Sequence, residues 1–154
     1  MLPYLRDPAA TLRRLVAHLA PGGAVATQDF EMAMVPVASR PMPLHAMAQG
    51  WLHAMLLAEG ADPSIGLKLW DLLDGVGLVV GGVRAEPVVQ TSDVAWPVGA
   101  IVLAVLPRLL SRGIVTHDEV EPATLQDRLD AERRGSRATF VGDVRFGAWG
   151  RLPG

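Results

Sequence analysis

The stretch Thr11–Glu31, TLRRLVAHLAPGGAVATQDFE, decides the fold. Leu12, Leu15, Val16 and Leu19 recur at i, i+3, i+4 and i+7, which places them on one side of a helix. Asp7-Pro8 starts that helix. The aspartate caps free amide groups, and proline suits the first helical position because its missing N–H would be unpaired anyway. Pro21-Gly22-Gly23 stops it, since glycine adopts the backbone conformation that other residues resist. AVATQDF (Ala24–Phe30) then reads as a strand, small and apolar on both faces as in a sheet covered on two sides. Such a helix–turn–strand unit normally sits late in an α/β sheet. Here it starts ten residues after Met1.

Outward from this stretch the elements alternate. Glu31–Pro43 is loop-like. A helix follows over Leu44–Glu59, with Leu44, Met47, Ala48, Trp51 and Met55 on its apolar stripe and His45, Gln49 and His53 on another face. Asp62-Pro63 repeats the cap-and-proline start, and Ile65, Leu69, Leu72, Leu73 and Val76 form the apolar side of the next helix, which Gly75 and Gly77 end. LVVGGVRAEPVVQ (Leu78–Gln90) reads as a strand, with Gly81-Gly82 as a bulge or bend and Pro87 near an edge. Pro97 opens a helix through Arg112. Thr116-His117-Asp118-Glu119 has capping-box spacing, and a helical stretch from Pro122 to Arg134 follows. Arg137–Leu152 is a final strand interrupted by glycines.

The chain has 154 residues, half of them hydrophobic, which suits one domain with a sizeable core. A net charge of -2 and no long run of one sign argue against a nucleic-acid partner, which needs a basic face. Arg6, Arg13 and Arg14, and Arg133, Arg134 and Arg137, read as solvated helix faces. With no cysteine, disulfides, iron–sulfur clusters, thiolate zinc and cysteine nucleophiles are excluded. The N-terminus carries an acid and a proline where a secretory apolar region would run, and the longest apolar run, Trp96–Pro107, is about half a membrane span. The expectation is a cytoplasmic protein with no membrane partner. There is no G-x-S-x-G elbow and no phosphate loop, and the one lysine is Lys68, so hydrolase and nucleotide-triphosphatase readings have no support.

Three blocks resemble the C-terminal half of class I S-adenosylmethionine-dependent methyltransferases of the small-molecule type. Tyr4–Glu31 looks like the segment after the family's fourth strand: a helix, the PGG turn and the fifth strand. Gly60–Val79 is similar to the late helix and the entry to the sixth strand. Arg145–Pro153, RFGAWGRLP, looks like the terminal strand. The resemblance implies an α/β fold with a partial Rossmann-like methyltransferase sheet, its C-terminal strands flanked by helices. The family's cofactor-binding half, with its glycine-rich loop and ribose-binding acid, has no counterpart here. The segment GVGLVVGG follows a helix and enters a strand, and PGG ends a helix. Both have the wrong polarity for a ligand loop, which needs amide groups at a helix N-terminus. The expected cofactor is S-adenosylmethionine, with binding by this chain alone not expected. An apolar strand at Ala24–Phe30 without a neighbour on one side invites pairing with another chain. A homo-oligomer, or a partner supplying the missing strands, is therefore expected. The alternative is a non-catalytic dimeric binding module derived from such an enzyme.

The candidate site residues follow. Gln28, Asp29 and Glu31 stand at the carboxyl end of a strand, where open α/β sheets meet their ligands. Asp29 is a candidate base, and Gln28 and Glu31 are candidate substrate contacts. His45 is a second candidate base, in a helix that the resemblance places over the substrate pocket; a surface histidine is the plainer reading. His45 and His53 are eight apart, roughly 12 Å along a helix, which one metal does not bridge. Trp51 and the methionines of the Glu31–Glu59 segment read as a pocket lining or as core. Tyr4 would lie near the transferred methyl group if the family's geometry holds. The acceptor would be a small molecule.

Overall fold

A computed structural model describes residues 2–34 and 36–154. A 3-10 turn at Leu2–Tyr4 precedes α1 (Pro8–Val16), β1 (Ala24–Glu31), the two-residue β2 (Val37–Ala38) and α2 (Pro43–Ala58). A second 3-10 turn at Gly66–Lys68 runs into α3 (Leu69–Asp74). Then come β3 (Val79–Gln90), α4 (Val98–Ser111), α5 (His117–Val120), α6 (Leu125–Ser136) and β4 (Phe140–Arg151).

The local signals explain these elements. The Asp7 carboxylate accepts the Ala10 N–H at 2.7 Å and caps α1. Pro21-Gly22-Gly23 is not the stop of α1, which ends at Val16 with Ala17 as its cap; Gly22, at φ +75°, turns the chain into β1. Thr116 and Glu119 form the reciprocal capping box of α5. Four segments differ from the sequence reading. α1 ends short of the expected Pro21 stop, and the helix expected from Asp62-Pro63 is α-helical over Leu69–Asp74 alone. The helical stretch expected from Pro122 begins at Leu125, because Glu121 takes φ 46° and breaks the chain direction. The Glu31–Pro43 loop contains β2.

The strands form one four-stranded antiparallel sheet around β4, making the protein mixed α/β with flanking helices. β1 pairs with β4 from Ala24↔Arg151 to Glu31↔Val144, and β2 pairs with it at Val37↔Val141 and Ala38↔Phe140. β3 also runs against β4: the Gly150 backbone abuts Leu78–Val80, Trp149 lies over Gly81 and Gly82, and Arg145 stands 3.8 Å from Glu86. A strand has two edges, so Arg145–Gly150 carries β1 on one and β3 on the other. A Rossmann-like sheet is mostly parallel; every pairing among the described residues is antiparallel, because the long β4 returns between its neighbours. The second edge of β1 meets no described strand.

The chain divides into two compact units. The first comprises Met1–Ala33, Ala61–Glu86 and Val144–Gly154. Leu12 and Val16 of α1, Ile65, Leu69 and Leu73 around α3, Leu78 and Ala148 of β4 make its core. The second comprises Met34–Gly60 and Pro87–Asp143. There α2 packs on α4 and α6 through Ala48, Trp51, Leu52 and Met55 against Val102, Leu109, Leu125 and Leu129. Three expectations are corrected. Leu15 and Met47, assigned to apolar stripes, are exposed. Arg133, assigned to a solvated face, is buried: its guanidinium donates to the Thr91 and Ser92 carbonyls and to Asp130. Burial of Arg is tolerated when its donors are satisfied in this way. No helix among the described residues is long and apolar enough to cross a membrane.

Candidate functional site

Tyr4, Gln28, Asp29 and Glu31 belong to the first unit, and His45 and Trp51 to the second. Side chains alternate along a strand, so Asp29 and Glu31 share one face of β1 and Gln28 takes the other.

Asp29 holds the chain start. Its Oδ2 accepts the Leu2 N–H at 3.1 Å and its Oδ1 accepts the Phe30 N–H at 3.3 Å. This fixes the 3-10 turn that carries Tyr4, whose ring is exposed. Glu31 is buried, with 1% of its surface accessible. Its Oε1 accepts the Ala33 N–H at 3.2 Å and its Oε2 accepts the Leu67 N–H at 3.3 Å. Gly66 leaves the room for this, since a Cβ there would stand 3.1 Å from that of Glu31. Glu31 thus ties the loop after β1 to the Gly66–Lys68 turn, and both its oxygens are engaged inside the unit. Gln28, on the opposite face, lines a cavity of about 190 Å³ with Arg84, Glu86, Arg145, Gly147 and Trp149.

In the second unit α2 begins with Pro43 at its first position behind Met42, which has no side-chain acceptor. The first amides of a helix need partners from elsewhere. Glu132 of α6 supplies them: its carboxylate accepts the Leu44 N–H at 2.8 Å and the His45 N–H at 2.9 Å. The same carboxylate takes the His45 Nδ1–H at 2.7 Å. His45 is 2% exposed and its ring centroid lies 5.3 Å from that of Phe140. A carboxylate on Nδ1 fixes the imidazole tautomer and leaves Nε2 as the proton acceptor, the arrangement general-base histidines use. Nearby in the same unit, Gln49 donates to Asp143 at 3.1 Å. Burial pushes the Asp143 carboxyl above its ordinary range, and the Gln49 hydrogen bond opposes that. Trp51 is buried in the α2–α4–α6 core.

The sequence reading missed Glu132, Arg84, Glu86, Arg145 and Trp149. Glu132 lies 87 residues from His45 and carries no local signal. The others had one: Arg84 and Glu86, and Arg145, Gly147 and Trp149, recur at i, i+2 and i+4, the period of one strand face.

The glycine segments do not cradle a nucleoside. Gly22 N–H donates to Leu152 O at 3.1 Å, Gly23 to Ala20 O at 2.8 Å and Gly77 to Asp74 O at 2.9 Å. Gly81 and Gly82 are covered by the Trp149 ring. With these amides engaged, Gly22, Gly23 and Gly77 offer no free N–H to a nucleoside. No group of three or more His, Asp or Glu side chains among the described residues converges on a metal position. No protein-family model and no curated protein matches this chain.

Proposed function

We propose that this chain is the acceptor-side part of a class I methyltransferase fold, acting on a small molecule in the cytoplasm. One observation carries the reading. The three blocks that resemble the family, Tyr4–Glu31, Gly60–Val79 and Arg145–Pro153, fall almost wholly in the first unit, and most of the unmatched sequence between them makes up the second. Blocks scattered over the whole chain by chance would not sort in this way.

In this reading the antiparallel strands are the flank of a larger, partly parallel sheet, a combination common in doubly wound folds. The open edge of β1 takes the neighbouring strand, and the cofactor side comes with it. Asp29 of the first unit or His45 of the second is the group proposed to hold the acceptor's proton. Asp29 stands near the carboxyl end of β1, and His45 has the Glu132 carboxylate that orients its ring. Tyr4, whose ring is exposed, keeps its proposed place as an acceptor contact, whereas Gln28 faces the other side of β1 and Glu31 and Trp51 are engaged inside their units.

Calorimetry with S-adenosylmethionine tests this on two samples. The isolated chain is expected to show no binding. The assembly recovered with this chain from its native host is expected to bind one equivalent per cofactor half. Tight one-to-one binding by the isolated chain, or no binding by the native assembly, would refute the reading. The open β1 edge, together with the engaged glycine amides, favours a second reading: a non-catalytic dimeric module. A symmetric, concentration-dependent dimer in sedimentation, with no cofactor affinity in either sample, would select it.

A further inference from the structure

We propose that the sheet face bearing Gln28 holds a binding site for a small aromatic carboxylate. The site is argued from Arg84, Arg145 and Trp149, which the methyl-transfer reading does not use. Its floor is Gly147, directly across from Gln28 in the β1–β4 register. The missing side chain opens a cavity of about 190 Å³ between the strands' side chains. A cavity of about 150 Å³ admits a benzene ring, so the half-open space has room for a single ring bearing one carboxylate.

The walls supply the recognition chemistry. Arg84 and Arg145 present two guanidinium groups, whose paired N–H donors match a carboxylate. Arg84 makes no ion pair with a described residue and stands 5.7 Å from the centre of the Trp149 ring. The Nε–H of Arg145 is buried and finds no acceptor among the described residues, while the Arg145 side chain as a whole is 42% exposed. Trp149 is 39% exposed and backed by Gly81 and Gly82, which leaves indole surface for a ring. Glu86 is the one acid in the lining. It sits 3.8 Å from Arg145, beyond hydrogen-bond distance, and occupies the place of an internal carboxylate. The external carboxylate competes with it. Two cations against one anion leave the cavity net positive.

Isothermal titration with benzoate, acetate and benzamide tests the site, with circular dichroism checking that each variant is folded. Saturable one-to-one benzoate binding is expected. Arg84→Gln and Arg145→Gln are each expected to weaken it about tenfold or more, the loss of one charge-assisted hydrogen bond. Glu86→Gln is expected to tighten it by removing the competitor. No saturable benzoate binding up to about 20 mM, benzamide binding as tightly as benzoate, or unchanged affinity in Arg84→Gln would overturn the proposal. Arg84 is exposed and makes no ion pair with a described residue, so that variant carries the test even where Arg145→Gln fails to fold. Acetate binding as tightly as benzoate would overturn the ring contact with Trp149.

Discussion

Replacing Glu132 with alanine is the sharpest perturbation of the second unit. The carboxylate accepts three N–H groups, from the Leu44 and His45 backbone and from His45 Nδ1. Losing a helix cap costs about 0.5–2 kcal/mol. Stranding the buried His45 Nδ1 donor adds about 1–3 kcal/mol. The sum is about 3 kcal/mol. At about 2–4 °C per kcal/mol for a chain of this length, the melting temperature falls by about 6–12 °C. Thermal and urea unfolding followed by circular dichroism read this directly. Glu132→Gln keeps one acceptor oxygen and should fall between the two. His45→Ala removes the ring and leaves the cap, so the His45–Glu132 double-mutant cycle should show a coupling of about 0.5–3 kcal/mol. A loss below about 0.5 kcal/mol in Glu132→Ala, within the range of an ordinary surface change, would refute the idea that this acid caps α2.

Three further outcomes are expected. A Cβ at Gly82 would stand 2.7 Å from the Trp149 ring, so Gly82→Ala should destabilise by about 1–3 kcal/mol. The effect should shrink in a Trp149→Leu background, and an undiminished cost there would contradict the contact. Burial raises the Asp143 carboxyl, so its contribution to stability is complete below the ordinary aspartate value of about 3.9 and is lost as pH rises through the folded-state value. Asp143→Asn should remove that decline in urea midpoints measured against pH, and identical profiles would count against it. Glu59 behaves oppositely: the Arg108 hydrogen bond, with the charges of Arg108 and Arg112, holds its carboxyl below the usual range. Its stabilisation is present above about 4.3 and lost as pH falls through the folded-state value. Glu59→Gln should flatten the acid limb, and an unchanged limb would dismiss the pair as a stabilising contact.

The sequence alone determined the kind and order of the elements. The Asp7 cap and the Thr116–Glu119 box are contests between neighbours within four residues, and each is settled by local backbone chemistry. Helical spacing put Ala48, Trp51 and Met55 on one stripe and all three are buried, but it also took in Met47, which is exposed. Tertiary structure decided what each polar side chain does. Glu31 reads as a substrate contact and is an internal tie; Arg133 reads as solvated and is buried; His45 reads as a base or a surface histidine and is buried against Glu132. The partners in these pairs lie 36 to 87 residues apart. A strand's pattern states that its faces differ. Which face meets the helices, and which strand returns beside it, depends on how the whole chain buries its apolar surface, and that is a property of no single segment.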